Sequence, residues 1–142
     1  MHFNEVKQIF NGCPDLVGLD ENSRARLFWC AECQTFLSGA NIYTENTPLD
    51  DSFGILLSGT LLIERSWKVL GQMKGNPLFG EMAYFTKLKE RTATVRAGSA
   101  EVHVLRFKLT TEELADSHFA SLKKFLGVQA WERFVSSSQR EA

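Results

Sequence analysis

The sequence predicts a mainly β domain with α-helices at both ends, and three observations carry that prediction. Seven of the ten glycines, Gly39, Gly54, Gly59, Gly71, Gly75, Gly80 and Gly98, separate short β-branched and aromatic runs between Thr35 and Phe107. On either side apolar residues recur at helical spacing: Phe3, Val6, Ile9 and Phe10 before, and Phe119, Leu122, Phe125, Leu126, Trp131, Phe134 and Val135 after. The chain has 142 residues, 44% hydrophobic and 23% charged. That is the profile of one globular domain, residues 1–142, with a core that needs neither disulfides nor a structural metal.

The elements follow in order. A first helix runs from Phe3 to Phe10 and is stopped by Asn11-Gly12-Cys13-Pro14. A second begins near Asp20, whose carboxylate can cap it, and ends near Gln34, closing a helical region over 1–34. Strands are expected at Thr35–Leu37, Asn41–Glu45, Phe53–Leu57, Thr60–Arg65, Lys68–Met73, Thr92–Ala97 and Val102–Phe107, a sandwich or barrel whose pairing periodicity does not give. Ser58-Gly59 reads as a hairpin tip. Between strands, Gly80-Glu81-Met82-Ala83-Tyr84-Phe85 lacks a β pattern and suits a single helical turn. Over 108–135 the chain is helical again, with Thr111 as cap and Glu112-Glu113 in the first turn, and 136–142 is a polar tail.

Charge and composition exclude several functions. Sixteen basic against seventeen acidic residues give no general field for a polyanion. The longest apolar candidate, Phe53 to Ile63, is broken by Gly54, Ser58, Gly59 and Thr60, and is too short to span a bilayer. The opening Met1-His2-Phe3-Asn4-Glu5 lacks a signal-peptide pattern, so a cytoplasmic location is expected. Three cysteines, Cys13, Cys30 and Cys33, suggest no disulfide framework. Cys30-Ala31-Glu32-Cys33 has metal-site spacing, but the ligand set is short. The two thiols read as small hydrophobes at the end of the second helix, and no metal is expected. His103 lies in the alternating run Val102-His103-Val104-Leu105 and His118 on a helix. With no His/Asp cluster for phosphodiester hydrolysis, no enzyme is expected.

The interrupted turn holds the candidate chemistry. A glycine opening a short helix lets backbone N–H groups approach an anion, as at Gly80. Ten residues after Glu81, Arg91-Thr92-Ala93-Thr94-Val95 begins with a planar fork for two phosphate oxygens. Glu81 repels phosphate and so must accept from hydroxyls of the same ligand or pair with a cation; a ribose phosphate satisfies both residues. The plainer reading is a Glu81–Arg91 ion pair closing a loop.

Phe79-Gly80-Glu81-Met82-Ala83-Tyr84, a spacer to Glu90, then Arg91-Thr92-Ala93-Thr94-Val95 resembles the phosphate-binding cassette of the cyclic nucleotide-binding domain family, F-G-E-x-A-L followed by R-[TSA]-A-x-V. The flanks agree: Ile9-Phe10 and Leu19 with its helix, Phe53 to Gly59, and Lys74-Gly75 before the cassette. The resemblance implies an eight-stranded β roll, or jelly roll, over 35–107 with helices at both ends, a cassette at 79–93 and cAMP or cGMP as ligand. Glu81 would accept from the ribose 2′-hydroxyl and Arg91 would pair with the cyclic phosphate. Gly80 and Ala83 would give backbone N–H groups, Thr92 and Ala93 would complete the phosphate contacts, and Phe79 and Met82 would lie near the ribose and base. Trp131 or Phe134 suits the family's lid. Thr92 is compatible with guanine, whereas the ten-residue spacing resembles cAMP-responsive regulators.

This chain departs from the family at Glu45-Asn46-Thr47-Pro48-Leu49-Asp50, where Gly-Asp is usual, at Asn76-Pro77, where an acidic residue is usual, and at Tyr84. Seven residues follow Val135, too few for a DNA-binding helix-turn-helix. The expected function is a stand-alone sensor acting on an effector protein in trans, or one separated from its effector. Its C-terminal helices would shift on Phe85 and Leu88 through Leu122, Phe125 and Leu126, and could form a homodimer. The alternative is a degenerate fold serving as an interaction module without nucleotide.

Overall fold

The computed structural model describes residues 1–81, 90–114, 120 and 122–128. Helix α1 spans Phe3–Asn11, a 3-10 turn Pro14–Leu16 follows, and α2 spans Glu21–Trp29. The strands are β1 (Ala31–Leu37), β2 (Asn41–Tyr43), β3 (Ser52–Ser58), β4 (Leu61–Arg65), β5 (Lys68–Met73), β6 (Leu78–Phe79), β7 (Thr94–Ala97) and β8 (Glu101–Lys108). Helix α3 spans Thr111–Leu114, and residues 122–128 are helical. The strands form two four-stranded antiparallel sheets, β1-β8-β3-β6 and β2-β7-β4-β5, the β roll expected from the resemblance.

Two cores explain the patterning. Strand β8 sends Val102 and Val104 into the roll with Tyr43, Leu56, Leu61, Phe79 and Val95, and sends Leu105 and Phe107 outward beneath the helices. The outer core adds Val6, Phe10, Leu16, Leu27, Leu122 and Leu126. Strand β3 lies inside the first sheet with the roll on one face and the outer core on the other, and is buried without a break from Ser52 to Leu57. The helix at 122–128 also approaches the N-terminal region: a Cβ on Gly18 would lie 3.4 Å from Cε2 of Phe125.

Four local expectations are corrected. Helix α2, capped by Asp20 as expected, ends at Trp29 instead of near Gln34, since β1 pairs with β8 from Ala31↔Phe107 onward. Cys33 therefore lies exposed on a strand, Cys30 is the C-cap, and the pair shares no helical face. Ser58-Gly59 is not a hairpin tip, because β3 and β4 belong to different sheets. Gly59, with φ +95° and its Cβ position 2.8 Å from the Glu101 carbonyl, turns the chain between them. The hairpin is β4–β5, with Ser66 and Trp67 at its tip. Finally, Thr110 and not Thr111 caps α3: its Oγ1 accepts from Glu113 N at 3.0 Å, and Glu113 Oε1 accepts from Thr110 N at 3.3 Å. Strand β6 was not foreseen, being two residues long.

Candidate nucleotide site

The segment entering the site is pinned before it arrives. Asn76 Nδ2 donates to the Leu56 and Leu57 carbonyls at 3.0 and 3.1 Å, and Cys13 Sγ donates to the Asn76 carbonyl at 3.0 Å. Asp15 Oδ2 accepts from Leu78 N at 2.8 Å. Strand β6 then places Leu78 in the outer core and Phe79 inside the roll, 5.9 Å from the Tyr43 ring. Gly80 follows at φ +82°, where a Cβ would meet Tyr43 Cε2 at 2.8 Å and Arg91 Nη1 at 3.2 Å. Only glycine fits both the dihedral and the space. Glu81 is completely buried.

Arg91 reaches the same place. Its backbone is clipped to the loop before β3, with Arg91 N donating to Thr47 O and Asn46 N donating to Arg91 O, both at 2.9 Å. Its guanidinium is 6% exposed and stacks on Tyr43, with Cζ 3.6 Å from the ring centroid. Nη1 donates to the Gly80 carbonyl at 3.0 Å, and Nη2 donates to the Ser52 carbonyl and to Asp50 Oδ1, each at 2.7 Å. The Nε of Arg91 is buried and meets no acceptor among the described residues. Thr92 is exposed, its carbonyl accepting from Arg65 Nε at 3.1 Å, and Ala93 is half-buried. Phe79, Gly80, Glu81, Arg91, Thr92 and Ala93 thus have defined places, while Met82, Ala83, Phe85, Leu88, Trp131 and Phe134 lie outside the described residues.

Four residues around Arg91 were not anticipated as site residues: Tyr43, Asp50, Ser52 and Arg106. Ser52 Oγ donates to Asp50 Oδ1 at 2.7 Å and lies 2.9 Å from the Tyr43 hydroxyl, making a chain from ring to carboxylate. Burial pushes the Asp50 carboxyl up, but the Ser52 and Arg91 hydrogen bonds and the Arg91 and Arg106 charges outweigh it and hold the group below its ordinary value. Burial raises the Tyr43 hydroxyl, against the opposing Ser52 bond and the two guanidinium charges. Arg106, on the inward phase of β8 with Val102 and Val104, lies 5.1 Å from the Tyr43 ring and donates to Ile42 O at 2.9 Å. A charged residue in that apolar register was the sequence signal for it. Nothing comparable marked Tyr43.

Away from the site, His103 is a satisfied strand histidine, 3.0 Å from Thr35 Oγ1 and 3.0 Å from Glu101 Oε1. Among the described residues no group of His, Cys, Asp and Glu is arranged to hold a metal, and no helix is long and apolar enough to cross a membrane.

No family model and no curated protein matches the chain. Solved structures do. The regulatory domain of Toxoplasma gondii PKA with cAMP superposes with TM-score 0.67 at 20% identity over 95% of this chain and 48% of that one. The sensor domain of the transcriptional regulator DNR from Pseudomonas aeruginosa gives 0.70 at 19% identity over 93% and 91%. The regulatory subunit of a cAMP-independent protein kinase A from Trypanosoma brucei gives 0.73 at 16% identity over 94% and 49%. The chain thus spans about half of these kinase regulatory chains and nearly all of the DNR sensor domain. It has the cyclic nucleotide-binding domain fold, a fold that these relatives use for regulation and sensing.

Proposed function

We propose that the chain binds a cyclic nucleotide, cAMP or cGMP, at the Gly80–Arg91 seat and passes the signal to an effector protein through its C-terminal helices. The observation that carries this reading is the Nε of Arg91, a buried cationic donor with no acceptor among the described residues. Leaving such a donor unpaired costs roughly 1–3 kcal/mol or more, and a phosphate oxygen beside Gly80 removes that cost. In this reading Glu81 accepts from the ribose hydroxyl. Thr92 and Ala93 border the phosphate, with Ala83 adding an N–H group and Phe79 and Met82 flanking the ribose and base.

Titration calorimetry with cAMP and cGMP tests the proposal and ranks the bases. Micromolar or tighter binding is expected, weakened by at least about tenfold, or roughly 1.4 kcal/mol, in Arg91→Lys, which keeps the charge but loses the fork. No heat and no thermal shift with either nucleotide overturns it. The second reading, an interaction module without nucleotide, draws on Asp50: an internal carboxylate already neutralises Arg91, and one structure of this fold is described as cAMP-independent.

A further inference from the structure

The charges gathered around Arg91 set a limit on the ligand's charge. Two guanidiniums, Arg91 and Arg106, flank the Tyr43 ring, and one carboxylate, Asp50, faces them. Their sum is one positive charge, which Glu81 can only lower. Asp50 is also held in place: it accepts from Arg91 Nη2 and from Ser52 Oγ, and Ser52 is in turn fixed to Tyr43. The donor left over on Arg91 is Nε, so an incoming anion joins the guanidinium beside Asp50 without replacing it.

We propose that Asp50 is a specificity-determining residue of this seat, admitting a singly charged cyclic phosphodiester and rejecting a doubly charged phosphomonoester. The inference rests on the nucleotide reading above and goes beyond it by assigning selection between cyclic and linear nucleotides to one carboxylate. A cyclic phosphodiester carries one negative charge throughout the working pH range, whereas a monoester with a second pKa of about 6 carries nearly two at pH 7.5. With Asp50 ionised, the second charge meets a like charge across the guanidinium. Without it, the seat would carry an excess positive charge that favours the dianion. The groups facing Asp50 are Arg91 from the cassette, Arg106 from β8, Tyr43 from β2 and Ser52 from β3. cAMP meets the same protein groups as 5′-AMP, Glu81 included, so a trend in that window that 5′-AMP shows and cAMP does not belongs to the ligand.

The test is calorimetry on the full chain with cAMP and 5′-AMP at pH 7.5 and 5.5, for the native protein, Asp50→Asn and Asp50→Glu. In the native protein 5′-AMP is expected to bind on the order of tenfold more tightly at pH 5.5, while cAMP is unchanged. Asp50→Asn should raise 5′-AMP affinity relative to cAMP by about tenfold at pH 7.5 and flatten or reverse that trend, while Asp50→Glu keeps the native preference. An unchanged ratio in Asp50→Asn, or 5′-AMP binding that tightens as pH rises in the native protein, overturns the proposal. So does cAMP binding with no 5′-AMP binding to any variant at either pH, since exclusion is then steric. If Asp50→Asn does not fold, the sign of the native pH trend decides alone. Failure of the native protein to bind either nucleotide overturns the nucleotide reading itself, and this inference with it.

Discussion

The guanidinium carbon of Arg91 stands 3.6 Å from the ring centroid of Tyr43, and the hydroxyl of the same ring reaches Ser52 Oγ at 2.9 Å. One side chain therefore supports the cation through its face and the Ser52–Asp50 chain through its edge. Two substitutions separate these roles. Tyr43→Phe keeps the stack and loses one buried hydrogen bond, and should cost about 1 kcal/mol in urea unfolding. Tyr43→Leu also loses the ring face and the contact with Phe79, and should cost about 2–4 kcal/mol. Nucleotide affinity should fall more in the second variant than in the first.

Which parts of this site could be read from the chain alone follows from sequence distance. Phe79, Gly80 and Glu81 are adjacent, and Arg91 opens a run with its own signature, so a linear pattern picks them out. Tyr43, Asp50, Ser52 and Arg106 come from β2, the loop after it, β3 and β8, and meet only because β8 pairs with β3 while β2 pairs with β7. Hydrophobic period gave the location of most strands, yet not their partners. Ser58-Gly59 has hairpin composition, and its neighbours went to opposite sheets. The short β6 was invisible for a different reason: two residues are too few for a period, and its position is set by Asp15, Asn76 and Pro77.

Gly80 and Gly54 are both closed to a side chain, for different reasons. At Gly80 the backbone is left-handed and a Cβ would strike Tyr43 at 2.8 Å. At Gly54 the obstacles are Phe79 Cζ at 2.7 Å and the Leu105 carbonyl at 3.1 Å. Gly80→Ala combines dihedral strain with a displaced Arg91 support, and Gly54→Ala overpacks the roll; each should cost roughly 1–3 kcal/mol. The first should also weaken nucleotide binding by at least about tenfold, because the Gly80 carbonyl orients Arg91. Paired unfolding and calorimetry measurements would reveal whether the two losses separate.

The surroundings of Asn76 require an amide at this position. Its amide donates to two carbonyls on β3, at Leu56 and Leu57. Asn76→Asp keeps the shape and turns two hydrogen bonds into two repulsions, so a loss of about 2 kcal/mol or more is expected at pH 7. Part of it should return as pH falls towards about 4, because the repulsion raises the pKa of the introduced carboxyl and its protonated form can donate to one carbonyl. A loss that does not depend on pH would mean the side chain has turned away from β3.

Acid should weaken the protein through Asp50. Its carboxyl titrates below the ordinary value of 3.8 in the folded chain, because the Ser52 and Arg91 bonds and the Arg91 and Arg106 charges outweigh burial. A depressed folded pKa means that the unfolded chain takes up the proton first. The stabilisation is therefore complete above the unfolded value and is lost as pH falls through the folded one. Asp50 is about half exposed, so solvent screening keeps the effect modest. Urea midpoints should decline as pH falls below about 4, and Asp50→Asn should flatten that decline while lowering stability at pH 7. If both proteins lose stability in parallel on acidification, other carboxylates govern the acid limb and the Asp50–Arg91 pair contributes little to folding.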